Sequence, residues 1–132
     1  MKIFIDTNIF LDLLFKRKGM QEALMILNSC DQNIFRGFIA DITLLNIDYI
    51  ASKQSKEIKE FLKVINKSFS VIGADNDMFT LALDLDNNDL EDNIQYICAK
   101  VCACDVIVTN DKNFYKGDMK VVNSQVFVDQ YI

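Results

Sequence analysis

Short apolar runs of strand length alternate with longer stretches of helical periodicity along the chain, and that alternation limits the fold more than any other feature. Residues 2–5, 37–40, 69–72, 105–108 and 120–122 read as five short strands. Helical spacing lies between and after them. An apolar run covers 9–15, and Met20, Ala23, Leu24 and Leu27 recur behind Gly19. Asp41 is placed to cap a helix running to about residue 53, with Ile42, Leu45 and Tyr49 on one face. Ser55 is expected to start a helix carrying Ile58, Phe61, Leu62 and Ile65. Asp75 caps one with Met78, Phe79, Leu81, Ala82 and Leu85; Ile94, Ile97, Cys98 and Val101 form the stripe of the next. Ser124 opens a terminal helix through Phe127, Val128 and Tyr131. Strands alternating with helices predict an α/β fold: a three-layer α/β/α sandwich around a mainly parallel five-stranded sheet. No linker, repeat or low-complexity stretch divides the 132 residues, so one domain over 1–132 is expected.

The same pattern brings distant polar residues together. The strand at 2–5 stops at Asp6, Thr7 and Asn8, and that at 105–108 stops at Thr109, Asn110 and Asp111. In a parallel sheet these strand ends share one edge, where open α/β sheets place their ligands. A helix leading into a parallel strand runs opposite to it, so its first turn returns to that edge. This places Asp92, within the acidic segment 84–92, near Asp6 and Asp111; Asn46 lies about one turn into another helix that starts there. Three carboxylates in one pocket repel unless a cation neutralises them. Oxygen ligands without His or Cys select Mg²⁺ or Mn²⁺, which stabilises charge on a phosphoryl group. Each acid also has a plainer reading. Asp6 or Asn8 would serve as a helix cap, Asp89 and Asp92 form a capping arrangement, and Asp111 fits an ordinary turn.

Composition narrows the chemistry. The chain has no His, which excludes imidazole acid–base catalysis and His-ligated zinc. Its net charge of −5 means that nucleic-acid binding would need a local basic patch or a bound metal. Lys56, Lys59, Lys63 and Lys67 are interleaved with Glu57 and Glu60, the pattern of a solvated helix face. Cys30, Cys98, Cys102 and Cys104 read as buried small hydrophobes rather than as a disulfide or metal framework. No apolar segment approaches membrane-spanning length, and a strand at residue 2 leaves no room for a signal peptide. A soluble cytoplasmic protein is therefore expected.

The segments IDTNIFLDLL, ADITLLNIDYIASK, DLEDNIQYICAK and DVIVTNDKNF, in that order, resemble the PIN-domain family, in its VapC-like bacterial and archaeal subgroup. The resemblance implies a sheet of order 3-2-1-4-5 and a metal-dependent ribonuclease. It also implies, commonly, a toxin inhibited by a cognate antitoxin protein, and often a homodimer. Carried over residue by residue, Asp6, Asp92 and Asp111 match family acids that hold the metal. Asn8 is the polar companion of the first acid, and Thr109 the hydroxyl beside the last. The second family acid falls on Asn46, a departure; Asp48, two residues on, points to another helix face. Asp12 and Glu91 are expected to support the ligands or to serve as surface and capping groups. Arg17, Lys18 and Lys112 lie in junctions near the acidic edge and are candidates for RNA phosphate contact.

The leading expectation is an Mg²⁺- or Mn²⁺-dependent RNA endonuclease in which Asn8, Asn46 and Thr109 orient water or phosphate. The alternative is a catalytically weak or inactive PIN-fold module that binds RNA or protein. Phosphotransfer on a similar sheet fits less well. A dehalogenase-type site wants Asp where this chain has Asn8, and a receiver domain wants Asp where it has Gly73 and Ala74.

Overall fold

The computed structural model describes residues 1–53 and 56–132. In chain order the described elements are β1 (Lys2–Ile5), α1 (Thr7–Leu14), α2 (Met20–Asp31), β2 (Arg36–Ala40), α3 (Asp41–Ala51) and α4 (Ile58–Ser68). They continue with β3 (Ser70–Ile72), α5 (Asn76–Leu83), α6 (Leu90–Val101), β4 (Val106–Val108), β5 (Val121–Val122) and α7 (Ser124–Tyr131). The expected helix start at Ser55 lies outside the described residues. Every strand pairing is parallel and the order is β3-β2-β1-β4-β5, as the resemblance implies.

The central strand β1 divides the core. Ile3 and Ile5 face one side and Phe4 the other, following the period-two alternation of a strand, and all three are fully buried. The Ile3 side packs with Ile9 and Phe10 of α1, Ala23 and Ile26 of α2, Ile47 of α3, Ile65 of α4 and Phe127 of α7. The Phe4 side packs with Met78 and Ala82 of α5 and Ile94, Ile97 and Cys98 of α6. Helices on both faces of one sheet make the expected three layers. Three cysteines are buried in these clusters, Cys102 is half-buried, and all four thiols are free.

Helix α3 presents a different face from the one its spacing predicts. Leu45 and Tyr49 are 71% and 79% exposed, while Thr43, Ile47 and Ala51 are buried. The helix is apolar around most of its circumference, so periodicity alone does not choose a face. A buried hydrogen bond of 2.9 Å between the Thr43 and Thr7 hydroxyls does. Val101, expected in the α6 stripe, is likewise 59% exposed, because the helix ends there. The lysine-bearing face of α4 is exposed, and Lys63 pairs with Glu60 at 3.3 Å, as expected for a solvated face.

Gly37 of β2 lies under the Phe69 ring. A Cβ there would stand 2.5 Å from two ring carbons and 2.9 Å from Cys30 Sγ. Gly37→Ala is expected to cost about 1–3 kcal/mol through overpacking, read as a lower urea midpoint with unchanged slope.

Register sets the functional edge. Ile5 pairs with Val108. The Asp6 N–H then donates to the Val108 carbonyl at 3.0 Å, which puts the residues after β1 and β4 side by side.

Candidate metal centre

Asp6 is 3% exposed and held from two sides. Thr109 Oγ1 donates to its Oδ2 at 2.6 Å and Gln95 Nε2 to its Oδ1 at 2.9 Å. Burial raises the Asp6 pKa above the usual carboxylate value despite these bonds, and the charge of Asp111 adds to the rise. The Thr109 hydroxyl is saturated. It donates to Asp6 and accepts from the Asp111 N–H at 3.1 Å and from Asn8 Nδ2 at 3.4 Å. It has no capacity left for a water or phosphate, so the expected orienting role becomes one of holding Asp6. Asn8 is similarly a brace, its Oδ1 accepting from the Asn110 N–H at 3.3 Å.

Asp92, in the first turn of α6, is 6% exposed, and its Oδ2 is buried with no hydrogen-bond donor. Asp89, Asp92 and Asp111 each place one oxygen within 4.8 Å of the other two. Burial first, then the charge of Asp6, then a hydrogen bond to Asp111, push the Asp92 carboxyl up to about 8. In the metal-free protein a proton on Asp92 relieves this repulsion; a divalent cation is the stronger relief. A donor set of carboxylates with an orphaned buried oxygen fits a hard cation such as Mg²⁺ or Mn²⁺.

A pH dependence follows. The folded state binds the Asp92 proton more tightly than the unfolded chain does, with pKa about 8 against 3.8. Its contribution to metal-free stability is thus fully present at low pH and lost as pH rises through about 8. Thermal melts in chelator are expected to show lower stability at pH 9 than at pH 6, with Mg²⁺ flattening the difference.

Position 46 does reach this edge, where Asn46 Nδ2 donates to Glu91 Oε1 at 2.8 Å. Glu91 is raised by burial and by the charges of Asp6 and Asp89. Asp48 is exposed. Asp12 stands apart from the acidic trio, buried and accepting from Asn110 Nδ2 at 2.7 Å. Asn110 Oδ1 in turn accepts from the backbone N–H and hydroxyl of Ser124, at 3.0 and 3.1 Å. Asp12 therefore ties the loop after β4 to α1 and α7. Beside Asp111, a cleft of about 880 Å³ is lined by Arg17, Lys18, Lys112 and Lys116, all exposed. Sequence reasoning missed Gln95, Asn110 and Lys116. The available signal for the first was a Gln set between Ile94 and Tyr96, three residues after Asp92.

The family model for the PIN domain matches residues 2–113. The chain belongs to the PIN-domain family. This PIN chain is 28% identical over 140 residues to Ribonuclease VapC1 of Aquifex aeolicus (strain VF5), across 98% of the chain and 95% of that relative. A toxin–antitoxin complex from Klebsiella pneumoniae contains a similar chain, with TM-score 0.71, 22% identity, and 92% and 97% of the two chains covered. So does VapBC2 from Rickettsia felis, solved bound to a DNA fragment of its promoter, with TM-score 0.69, 18% identity, and 93% and 98% covered. At these identities the structural likenesses establish the shared PIN fold. Among the described residues no helix is long and apolar enough to cross a membrane.

Proposed function

We propose that this chain is a cytoplasmic, Mg²⁺- or Mn²⁺-dependent endoribonuclease that acts as the toxin of a toxin–antitoxin pair. The observation that carries the reading is the buried, donorless Oδ2 of Asp92 set among the carboxylates of Asp111 and Asp89. Such an arrangement is unfavourable without a cation and useful with one. Ribonuclease VapC1 supports RNA as the substrate, and the toxin–antitoxin neighbours support a protein antitoxin as partner.

Asp92 and Asp111 would hold the ion, with Asp6 adding its charge from the grip of Thr109 and Gln95. When bound, the ion supplies Lewis-acid stabilisation of the charge developing on a phosphodiester. The side chains do the positioning. Asn8, Thr109 and Asn110 lock the loop that carries Asp111. Arg17, Lys18, Lys112 and Lys116 bind backbone phosphates in the adjoining cleft and offset the repulsion between RNA and an acidic protein. With no His in the chain, no step depends on an imidazole.

Asn46, uncharged where the family acid falls, favours the second reading, a PIN-fold module that binds RNA without cutting it. Incubation of chelator-stripped protein with single-stranded RNA, with and without Mn²⁺ or Mg²⁺, separates the two. Internal cleavage restored by metal supports the enzyme. Binding without cleavage at millimolar metal supports the module.

A further inference from the structure

The N-cap of α6 carries a charge that capping does not require. Asp89 Oδ1 accepts from the Asp92 N–H at 3.1 Å, and an Asn or Ser oxygen would cap equally well. Asp89 is exposed and stands directly beside the buried Asp92.

Two geometric facts give the charge a purpose. Asp92 is more than nine-tenths buried and its Oδ2 lacks a donor. Asp89, Asp92 and Asp111 each bring an oxygen within 4.8 Å of the others. Around an octahedral Mg²⁺ with oxygens at about 2.1 Å, neighbouring oxygens stand about 3 Å apart and opposite ones about 4.2 Å, so closing this trio on one ion draws the oxygens together by up to about 2 Å. Asn46, meanwhile, uses its amide as a donor to Glu91 rather than offering an oxygen.

We infer that Asp89 is both the cap of α6 and a third anionic ligand of the metal, supplying here the charge that Asn46 lacks. The inference rests on the metal-dependent reading given above. It makes the site an arrangement of Asp89, Asp92 and Asp111 around one ion, with two of its ligands on a single helical turn.

Calorimetric titration of chelator-stripped protein with Mn²⁺ tests it. Asp89→Asn and Asp89→Ser keep a capping oxygen and remove the charge. Both are expected to weaken Mn²⁺ binding about tenfold or more, with a metal-free melting temperature equal to or above that of the wild type. Adding Asn46→Glu to Asp89→Asn is expected to recover much of the affinity. Asp48→Asn, which removes an exposed charge two residues from Asn46, is expected to leave it unchanged.

Affinity of Asp89→Asn within twofold of wild type would overturn the inference and leave the proposed function standing. A wild type that binds no Mn²⁺ would overturn both. Weaker binding together with a lower metal-free melting temperature would assign the loss to the cap. An equal loss in Asp48→Asn would assign it to net charge. Either would overturn the inference.

Discussion

Asp92→Asn is expected to lower metal-dependent RNA cleavage about 100- to 1000-fold, matching the several kcal/mol that a Lewis-acid metal contributes. The same change is expected to raise the melting temperature of the metal-free protein above pH 8. Ionised Asp92 is buried, lacks a donor on Oδ2 and stands in the field of Asp6, Asp111 and Asp89. An amide removes that repulsion, and its Nδ2 can donate to Asp111. Opposite effects on activity and stability separate a ligand from a structural residue: loss of both would make Asp92 structural. Asp6→Asn is the less clean variant. Asp6 accepts from both Thr109 and Gln95, and an amide would set a donor against one of them.

The cleft cations carry the second large effect. Replacing Arg17, Lys18, Lys112 and Lys116 by Gln is expected to weaken single-stranded RNA binding several hundred-fold at 0.1 M salt. That follows from roughly fivefold per lost phosphate contact, given a slope of about −0.7 per contact. The salt slope itself should flatten by about 3 units. Binding is best measured in the Asp92→Asn background, where the strand stays intact. Replacing Lys56, just before α4, together with Lys59, Lys63 and Lys67 on it should leave both quantities unchanged, because Lys63 pairs with Glu60 and these lysines are exposed. Sensitivity confined to α4 would move the RNA path to that helix.

What the sequence made legible follows from local rules. Strand ends and helix starts share an edge in any parallel α/β sheet, so the approach of Asp92 to Asp111 beside Asp6 needed only element order. Choices decided by tertiary contact were not legible. Helix α3 is apolar nearly all round, and its buried face was selected by the bond between Thr43 and Thr7, which no periodicity encodes. Gln95 lies in an apolar stripe and shows its purpose only when β1 brings Asp6 to it. Asp12 follows Asn8 by one helical turn, yet α7 draws it into the Asn110 network rather than toward the acids. Asp89 reads as a cap and is one; only the oxygen distances show that it also faces Asp92 and Asp111.

The most direct measurement is the anomalous diffraction of crystals soaked in Mn²⁺. The account predicts a peak bonded to carboxylate oxygens of Asp92 and Asp111 at the C-terminal edge of β1 and β4. Crystals that diffract well in millimolar Mn²⁺ and show no peak there, or a peak only elsewhere on the molecule, would contradict it.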